Sequence, residues 1–502
     1  MRWGSAAVAL ATVAYLLPAI RCGMVLSDDG VLWGAAARIL DGQVPGRDFP
    51  VIYPPGEFYA VAGALALGKG SWIAYRALWL GVRCIATVLA WSVARRFLPP
   101  ALAAFGIAPL ILVPGHWHKS SLALVPLAII WATFRWIEKR SRGRFIALGV
   151  VIGAACLLRH DIGGLAAIAS TGAVLAMPGS VRERASRAAG LLAISLGLFA
   201  AVHGALGVSP LRFVDVPLAM ASAPTANRAA VPYPNPLDLI GANGVAEAVE
   251  LSFYFWPFAA AAMVLLWAIR RRRVREALLA ATALCLVQSV WWYSNYGHLV
   301  QALPLSLLVT TVAAGYGIRR GGARRVFGTT GIAAICGYLV YQLAYSDDLA
   351  TAATPLHLAD MGVPVQTALG AVHVTEARAE HLSSVLDLIG STTDPADPIF
   401  VFPMHALYYP LSGHPNPTAF DVLGHHAYRT VLPDSTAERA LAMGLVDAGV
   451  PIVLLDESIS FLNHPRAPEQ RMTSYAGGLL EELARSYTVH DAIGTTLFLR
   501  AR

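Results

Sequence analysis

The hydropathy pattern constrains this chain more than any other feature. Stretches near 3–25, 72–94, 100–115, 120–137, 145–159, 162–178, 189–206, 249–269, 276–293, 299–318 and 326–345 are predominantly apolar. A bilayer core is crossed by about 20 such residues in a helix. Of the 502 residues, 56% are hydrophobic and only 14% charged, against about 25% charged in ordinary soluble domains. Mean hydropathy is +0.56. These values exclude a soluble globular protein and predict an α-helical polytopic membrane protein with about 11 transmembrane helices.

Basic residues orient the spans. They cluster at Arg95-Arg96; at Lys139, Arg140, Arg142 and Arg144; at Arg182, Arg184 and Arg187; at Arg270 to Arg273 with Arg275; and at Arg319, Arg320, Arg324 and Arg325. The clusters fall at every second boundary, as cytoplasmic loops require. The amino terminus is therefore expected in the cytoplasm and the region after 345 outside. The net charge of +7 is then a topological signal and calls for no nucleic-acid partner. The first segment is too long, and lacks an Ala-x-Ala site before Ser27, for a cleaved signal peptide; an uncleaved anchor is expected. Segments 145–159 and 162–178 are short and joined by RHDIGG, so a re-entrant pair satisfies the same charge rule. Ala and Arg richness with little Lys points to a GC-rich bacterial genome, and hence to the inner (plasma) membrane. Cys22, Cys84, Cys156, Cys285 and Cys336 lie in or beside apolar runs without CxxC spacing, so neither disulfides nor a zinc site is predicted.

With this orientation the first outer loop, 26–71, reads LSDDGVLWGAAARILDGQVPGRDFPVIYPPGEFY and onward. Val31, Leu32, Ala35, Ala36 and Ile39 fall on one helical side, suited to the membrane interface. GEFYAVAGALALG, after Pro54-Pro55, is too short to span and reads as a second interfacial helix. The loop 207–248 is rich in Pro and Asn. From 346 the character changes: helical patterns (ARAEHLSSVLDLIG, TAERALAMGLVDAG) alternate with short apolar runs (IFVFP, PIVLLD, TTLFLR). That alternation predicts a small α/β domain outside the membrane over 346–502, following a membrane module over 1–345.

Adjacent acids at the end of a span ordinarily face water and do nothing. Asp28 and Asp29, however, are followed by helices that would hold them at the interface. Cationic and imidazole groups fall on the same side: His116, His118 and Lys119; Arg159 and His160; and His298. A carboxylate that takes a proton from an acceptor hydroxyl, with cations that stabilise charge on a phosphate leaving group, is what transfer from a lipid phosphate requires.

The stretch SDDGVLWGAAARILDGQVPGRDFPVIYPPGEFY resembles the first outer loop of the GT-C glycosyltransferases. There an acidic pair follows the first span, then Gly, a small-residue helix, an L-x-G-x-x-P-x-R-D-F segment and Pro-Pro-Gly. The bacterial branch of protein O-mannosyltransferases and the lipid A aminoarabinose transferase is nearest. YSNYGHLVQALPLSLL at 293–308 and IFVFPMHALYYPLSGHPNPTAFD in the tail are similar to segments of that branch. The resemblance implies a GT-C fold and inverting transfer of a sugar from a polyprenyl-phosphate-linked donor to a glycan, lipid or protein acceptor at the outer face. It carries the general base to Asp28 and the acid that positions the acceptor or a metal to Asp29. Asp has a shorter arm than the usual Glu there, so which of the two is the base stays open. A divalent cation (Mg2+ or Mn2+) is an open requirement; no metal ligands are assigned. Gly46 stands where most relatives have Tyr.

Lys119, Arg159, His160 and His298 are candidates for the donor phosphate. Against this, Arg159-His160-Asp161 also reads as a helix-end cap, Lys119 as a headgroup contact, and His298 as an interfacial residue. Two imidazoles at His116 and His118 without a nearby acid make a weak metal site. Asp48 and Tyr53 are substrate-binding candidates, although Tyr53 beside Pro54-Pro55 also reads as loop packing. His405, His414, His425 and His426 are scattered and read as structural or solvent-facing, and SGHPNPT reads as turn chemistry. Three rival functions remain. An oligosaccharide or lipid-linked glycan transferase of the same fold is not separated by sequence. A transporter would show inverted repeats, and none is visible. An inactive scaffold is opposed by the acids through the resemblance alone.

Overall fold

The computed structural model describes residues 2–51, 53–211, 233–242, 244–291, 296–345, 355, 358–421, 432, 434–456, 476–494 and 496–502. His425 and His426, most of the Pro- and Asn-rich loop, and 293–295 of the YSNYGH segment lie outside these. The described residues divide into two units. One takes 2–20, 79–205 and 233–345; the other takes 21–78, 206–211 and the residues from 358 onward.

The first unit is helical. All eleven apolar stretches carry helix: α1 (Arg2–Leu16), then, after α2 and α3 of the second unit, Asp28–Leu40 and Gly56–Leu67, come α4 (Trp72–Ala94, of which the residues up to Leu78 belong to the second unit), α5 (Pro100–Leu112), α6 (Ser121–Glu138), α7 (Arg142–Leu158), α8 (His160–Leu175) and α9 (Val181–Ala205). They are followed by α10 (Val245–Phe253), α11 (Trp256–Arg270), α12 (Val274–Cys285), α13 (Val287–Trp291), α14 (Tyr296–Arg320) and α15 (Gly322–Tyr345). Five helical segments among the described residues are long and apolar enough to cross a membrane: Trp72–Ala94, Trp117–Glu138, Val181–Ala205, Glu247–Arg270 and Gly297–Arg320. The chain is a multi-pass membrane protein.

Three stretches are more broken than hydropathy suggests. α1 stops at Leu16 because Pro18 tightens the next turn into a 3-10 helix. The stretch 249–269 is interrupted at Tyr254-Phe255, just before Pro257 at the start of α11. The stretch 276–293 breaks at Leu286. Small residues let helices approach closely, as interfaces in lipid require. A Cβ on Gly153 would lie 2.8 Å from the Ser195 carbonyl, and the Ser195 hydroxyl donates to Gly149 O across 3.1 Å.

The second unit joins the first-loop helices α2 and α3 to the carboxyl-terminal residues. β1 (Val363–Val365) and β2 (Val372–Val374) form an antiparallel pair. α16 (Glu376–Thr392), β3 (Ile399–Phe402), α17 (Tyr408–Ser412), α18 (Ser435–Asp447), β4 (Ile452–Asp456), α19 (Gly477–Ser486), β5 (Tyr487–Ile493) and β6 (Thr496–Ala501) follow. The sheet order is β3-β4-β6-β5, parallel between β3 and β4 and antiparallel elsewhere. β3 and β4 are buried along their whole length, which explains why their sequences are unbroken apolar runs rather than alternating ones. The segment before α2 is stitched to β2: Gly23 N–H donates to His373 O at 2.8 Å, and His373 N–H to Arg21 O at 2.9 Å.

Candidate active site

The acid pair opens α2, where the exposed helix N–H groups favour negative side chains. The two acids are in different surroundings. Asp29 is 1% exposed. Its Oδ2 accepts from Val25 N–H at 2.9 Å and its Oδ1 from the Tyr75 hydroxyl at 2.6 Å. Arg76 lies within electrostatic reach of that carboxylate. Its guanidinium donates to the carbonyls of Cys22 (2.8 Å) and Gly23 and stacks 4.8 Å over the Trp72 ring. Trp33, Trp72 and Tyr75 enclose the group, with ring centroids 5.3 to 6.1 Å apart. A buried carboxylate needs this compensation, since an unpaired charge in a low-dielectric setting costs several kcal/mol. Asp28, one residue earlier, is only half-buried.

Tyr75 and Arg76 were missed by the sequence reading, although a signal existed. An arginine four residues into an apolar segment is expensive in lipid and implies a partner. Glu57 was missed as well; it is buried in the first turn of α3, directly after Pro54-Pro55-Gly56.

The first loop holds two further candidates, Asp48 and Tyr53. Asp48 is engaged in its own turn: Oδ2 accepts from Val44 N–H at 2.7 Å, and both oxygens receive Arg47 at 2.9 Å. The Arg47 hydrogen bond holds the Asp48 carboxyl below the ordinary range. The same turn needs Gly46, whose φ is +83°; that accounts locally for glycine at this position. Tyr53 is half-buried in the following loop.

In the first unit the segment VPGHWHKS, between α5 and α6, is held from two helices. The Pro114 carbonyl accepts from Arg83 of α4 and, at 3.4 Å, from Gln301 of α14. Gly115, at φ +61°, leaves the space that the Gln301 amide fills; a Cβ there would collide with it. So fixed, the segment brings Lys119 Nζ to 3.3 Å from His298 Nε2, and the rings of His116 and His118 stack 5.6 Å apart. Two of the four phosphate candidates are thereby joined. Arg159 is instead bound within its own turn, its Nε and Nη2 reaching Asp161 at 3.1 and 2.7 Å. Arg159 is the N-cap of α8 and His160 the first residue of that helix. A small apolar cavity of about 20 Å3 between α4, α5, α6 and α14 has Gln301 as a polar lining group and Ile107, Leu127 and Leu305 among its walls. Among the described residues no three His, Cys, Asp or Glu side chains gather as metal ligands.

No protein-family model matches the chain, and no curated protein does. Solved structures do. ArnT from Cupriavidus metallidurans in the apo state matches with a TM-score of 0.55 at 16% identity, over 98% of this chain and 96% of that one. The same protein bound to undecaprenyl phosphate matches with a TM-score of 0.54 at 14% identity, over 99% and 97%. The present chain shares the fold of these structures.

Proposed function

We propose that the chain is an inverting glycosyltransferase that moves a sugar from a polyprenyl-phosphate donor to a cell-envelope glycan, lipid or protein at the outer face of a bacterial inner membrane. On this reading all eleven apolar stretches belong to spans, the amino terminus is cytoplasmic, and the α/β region is extracytoplasmic. The observation that carries the proposal is the unequal acid pair. Asp29 is buried with hydrogen bonds to both oxygens and is assigned the anchoring role, while the more exposed Asp28 is assigned the chemistry.

Asp28 accepts the proton of the acceptor hydroxyl as that oxygen bonds to the anomeric carbon. The bond from that carbon to the phosphate oxygen breaks from the opposite side, which inverts the centre. Negative charge then grows on the departing polyprenyl phosphate, which a cationic group has to stabilise; within the first unit, Lys119 paired with His298 is our candidate for that role. His160 and Arg159 are weaker candidates for that role, because Arg159 is already neutralised by Asp161. A fold neighbour bound to undecaprenyl phosphate supports this donor class. A divalent cation (Mg2+ or Mn2+) stays an open requirement, no ligands are assigned to it, and no step is routed through it.

Membranes containing the protein, incubated with radiolabelled polyprenyl-phosphate sugars and an envelope acceptor extract, test the proposal. Asp28→Asn abolishes transfer at unchanged protein level, while Asp29→Asn lowers it through a disturbed α2. Equal transfer by wild type and both variants would remove the carboxylate mechanism.

A further inference from the structure

We infer that Arg38 and Asp421 are positioning residues that set the register of α2 and, through it, the carboxylate at its first residue. The catalytic part of this inference rests on the function proposed above; the structural part does not. Gly30, Gly34 and Arg38 are spaced at i, i+4 and i+8 and so line one face of α2. That face lies on the turn after β3 and the loop that follows α17. At Gly30 a Cβ would collide with the Leu407 amide nitrogen, and the Leu407 N–H donates to Leu26 O at 3.0 Å. At Gly34 a Cβ would be 2.8 Å from the Asp421 carboxyl carbon. The helix backbone therefore meets the Ala406–Leu407 backbone at Gly30 and the Asp421 carboxylate at Gly34, with no α2 side chain between, and such a contact is smooth. It resists separation but offers little against sliding or rotation.

Arg38 supplies what the glycines lack. Its Nε and Nη2 reach the Asp421 oxygens at 3.2 Å each, and Nη2 reaches Thr418 O at 2.5 Å. Its guanidinium also lies 5.6 Å over the Phe49 ring. Asp421 is oriented in turn by Asn416 at 3.1 Å, and Asn416 binds Thr418 and the Phe420 carbonyl. The side chains of the pair are only 14% and 10% exposed, so solvent screens it little. Arg38 is ten residues beyond Asp28, about 15 Å along the helix axis. Asp29 is pinned at the other end by Tyr75. Two pins at opposite ends of one rigid helix determine both its rotation and its slide, and a misplacement of about 1 Å can cost about a hundredfold in rate.

The test combines hydrogen exchange over 26–40 with transfer kinetics, on full-length protein in lipid nanodiscs. With Asp421→Asn, α2 amides are expected to exchange about tenfold faster while those of α14 are unchanged. The kcat falls about tenfold with donor KM unaltered, as for loss of alignment rather than of binding. Arg38→Lys, which keeps the charge but not the fork, falls between. Should Asp421→Asn fail to fold because it strands a buried guanidinium, the double variant Arg38→Met with Asp421→Leu removes both charges together. It is expected to fold and still to show the low kcat and fast α2 exchange. Unchanged exchange in α2 would overturn the pin whatever the reaction is. Faster exchange with wild-type kcat would reduce the pair to a structural contact and overturn positioning. Faster exchange in a protein whose wild type transfers no sugar would leave the pin standing and remove the glycosyltransferase reading instead.

Discussion

Tyr75 donates to Asp29 across 2.6 Å, joining two side chains that are 0% and 1% exposed. The first turns of α4 thus hold an acid at the first turn of α2. Tyr75→Phe keeps the ring among Trp33 and Trp72 but leaves Asp29 Oδ1 without this donor. Stranding a buried acceptor costs about 1–3 kcal/mol. The thermal midpoint should drop accordingly, and transfer should fall about tenfold as Asp28 loses its fixed neighbour. A Tyr75→Phe protein matching wild type in both measurements would show that this hydrogen bond organises nothing.

Glycine at the α2 face is a steric requirement, and alanine scanning separates it from a mere helix-propensity effect. Gly30→Ala places a methyl against the Leu407 backbone, which cannot swing aside; overpacking of this kind typically costs about 1–3 kcal/mol. Gly63→Ala on α3 is the control, because a Cβ there meets nothing within 4 Å. By propensity alone the control should be stabilising by about 0.5–1 kcal/mol. Opposite shifts in thermal midpoint are the expected result, and parallel shifts would contradict the close approach.

Lys119 and His298 are expected to act as a unit on the donor phosphate. Lys119→Ala and His298→Ala should each raise donor KM about tenfold, and the double variant should be little worse than either, since contacting residues are not additive. Gly115→Ala should reproduce part of the effect without touching either residue. Its φ of +61° and the collision with Gln301 would displace the turn that carries Lys119. Fully additive losses would mean that the 3.3 Å contact is incidental.

How far the sequence foretells this arrangement depends on how local each interaction is. The helices of the first unit announce themselves because twenty apolar residues in a row have few other uses. The break before Pro257 was readable for the same local reason. The acid pair was visible through adjacency, and IFVF and PIVLLD through being apolar without alternation. What the sequence does not reveal is pairing at a distance. Tyr75 meets Asp29 across 46 positions and Arg38 meets Asp421 across 383. Nothing in the local pattern of either segment selects its partner. Asp48 shows a local pairing: R-D-F invites a binding role by resemblance, and the carboxylate also closes its own turn. His405 reads from sequence as structural or solvent-facing, with no partner named. It is buried, with Nδ1 2.5 Å from Asp456 at the end of β4, and only the parallel β3–β4 pairing brings these residues together.

The same region carries a pH dependence whose sign follows from burial. His381 on α16 has Nε2 3.4 Å from the Tyr408 hydroxyl and 3.5 Å from Thr496 Oγ1. Burial lowers its pKa first; Asp456 opposes this, and Arg378 and His405 add to it, leaving it below the ordinary 6.5. The unfolded chain then binds this proton more readily than the folded one. Stability is therefore complete above about pH 6.5 and declines as pH falls through that value towards the folded pKa. Asp48, held below 3.8 by Arg47, contributes only at far lower pH. Buried Asp421, raised above 3.8, has the opposite sign, since the folded state takes up its proton first. Thermal midpoints of wild type and His381→Gln, compared at about pH 7.5 and about pH 5.5, isolate the histidine. The wild type should lose more on acidification than the variant, whose amide can still meet Tyr408 and Thr496. Equal losses would assign the acid sensitivity to other groups and leave the half-buried imidazole without a role in it.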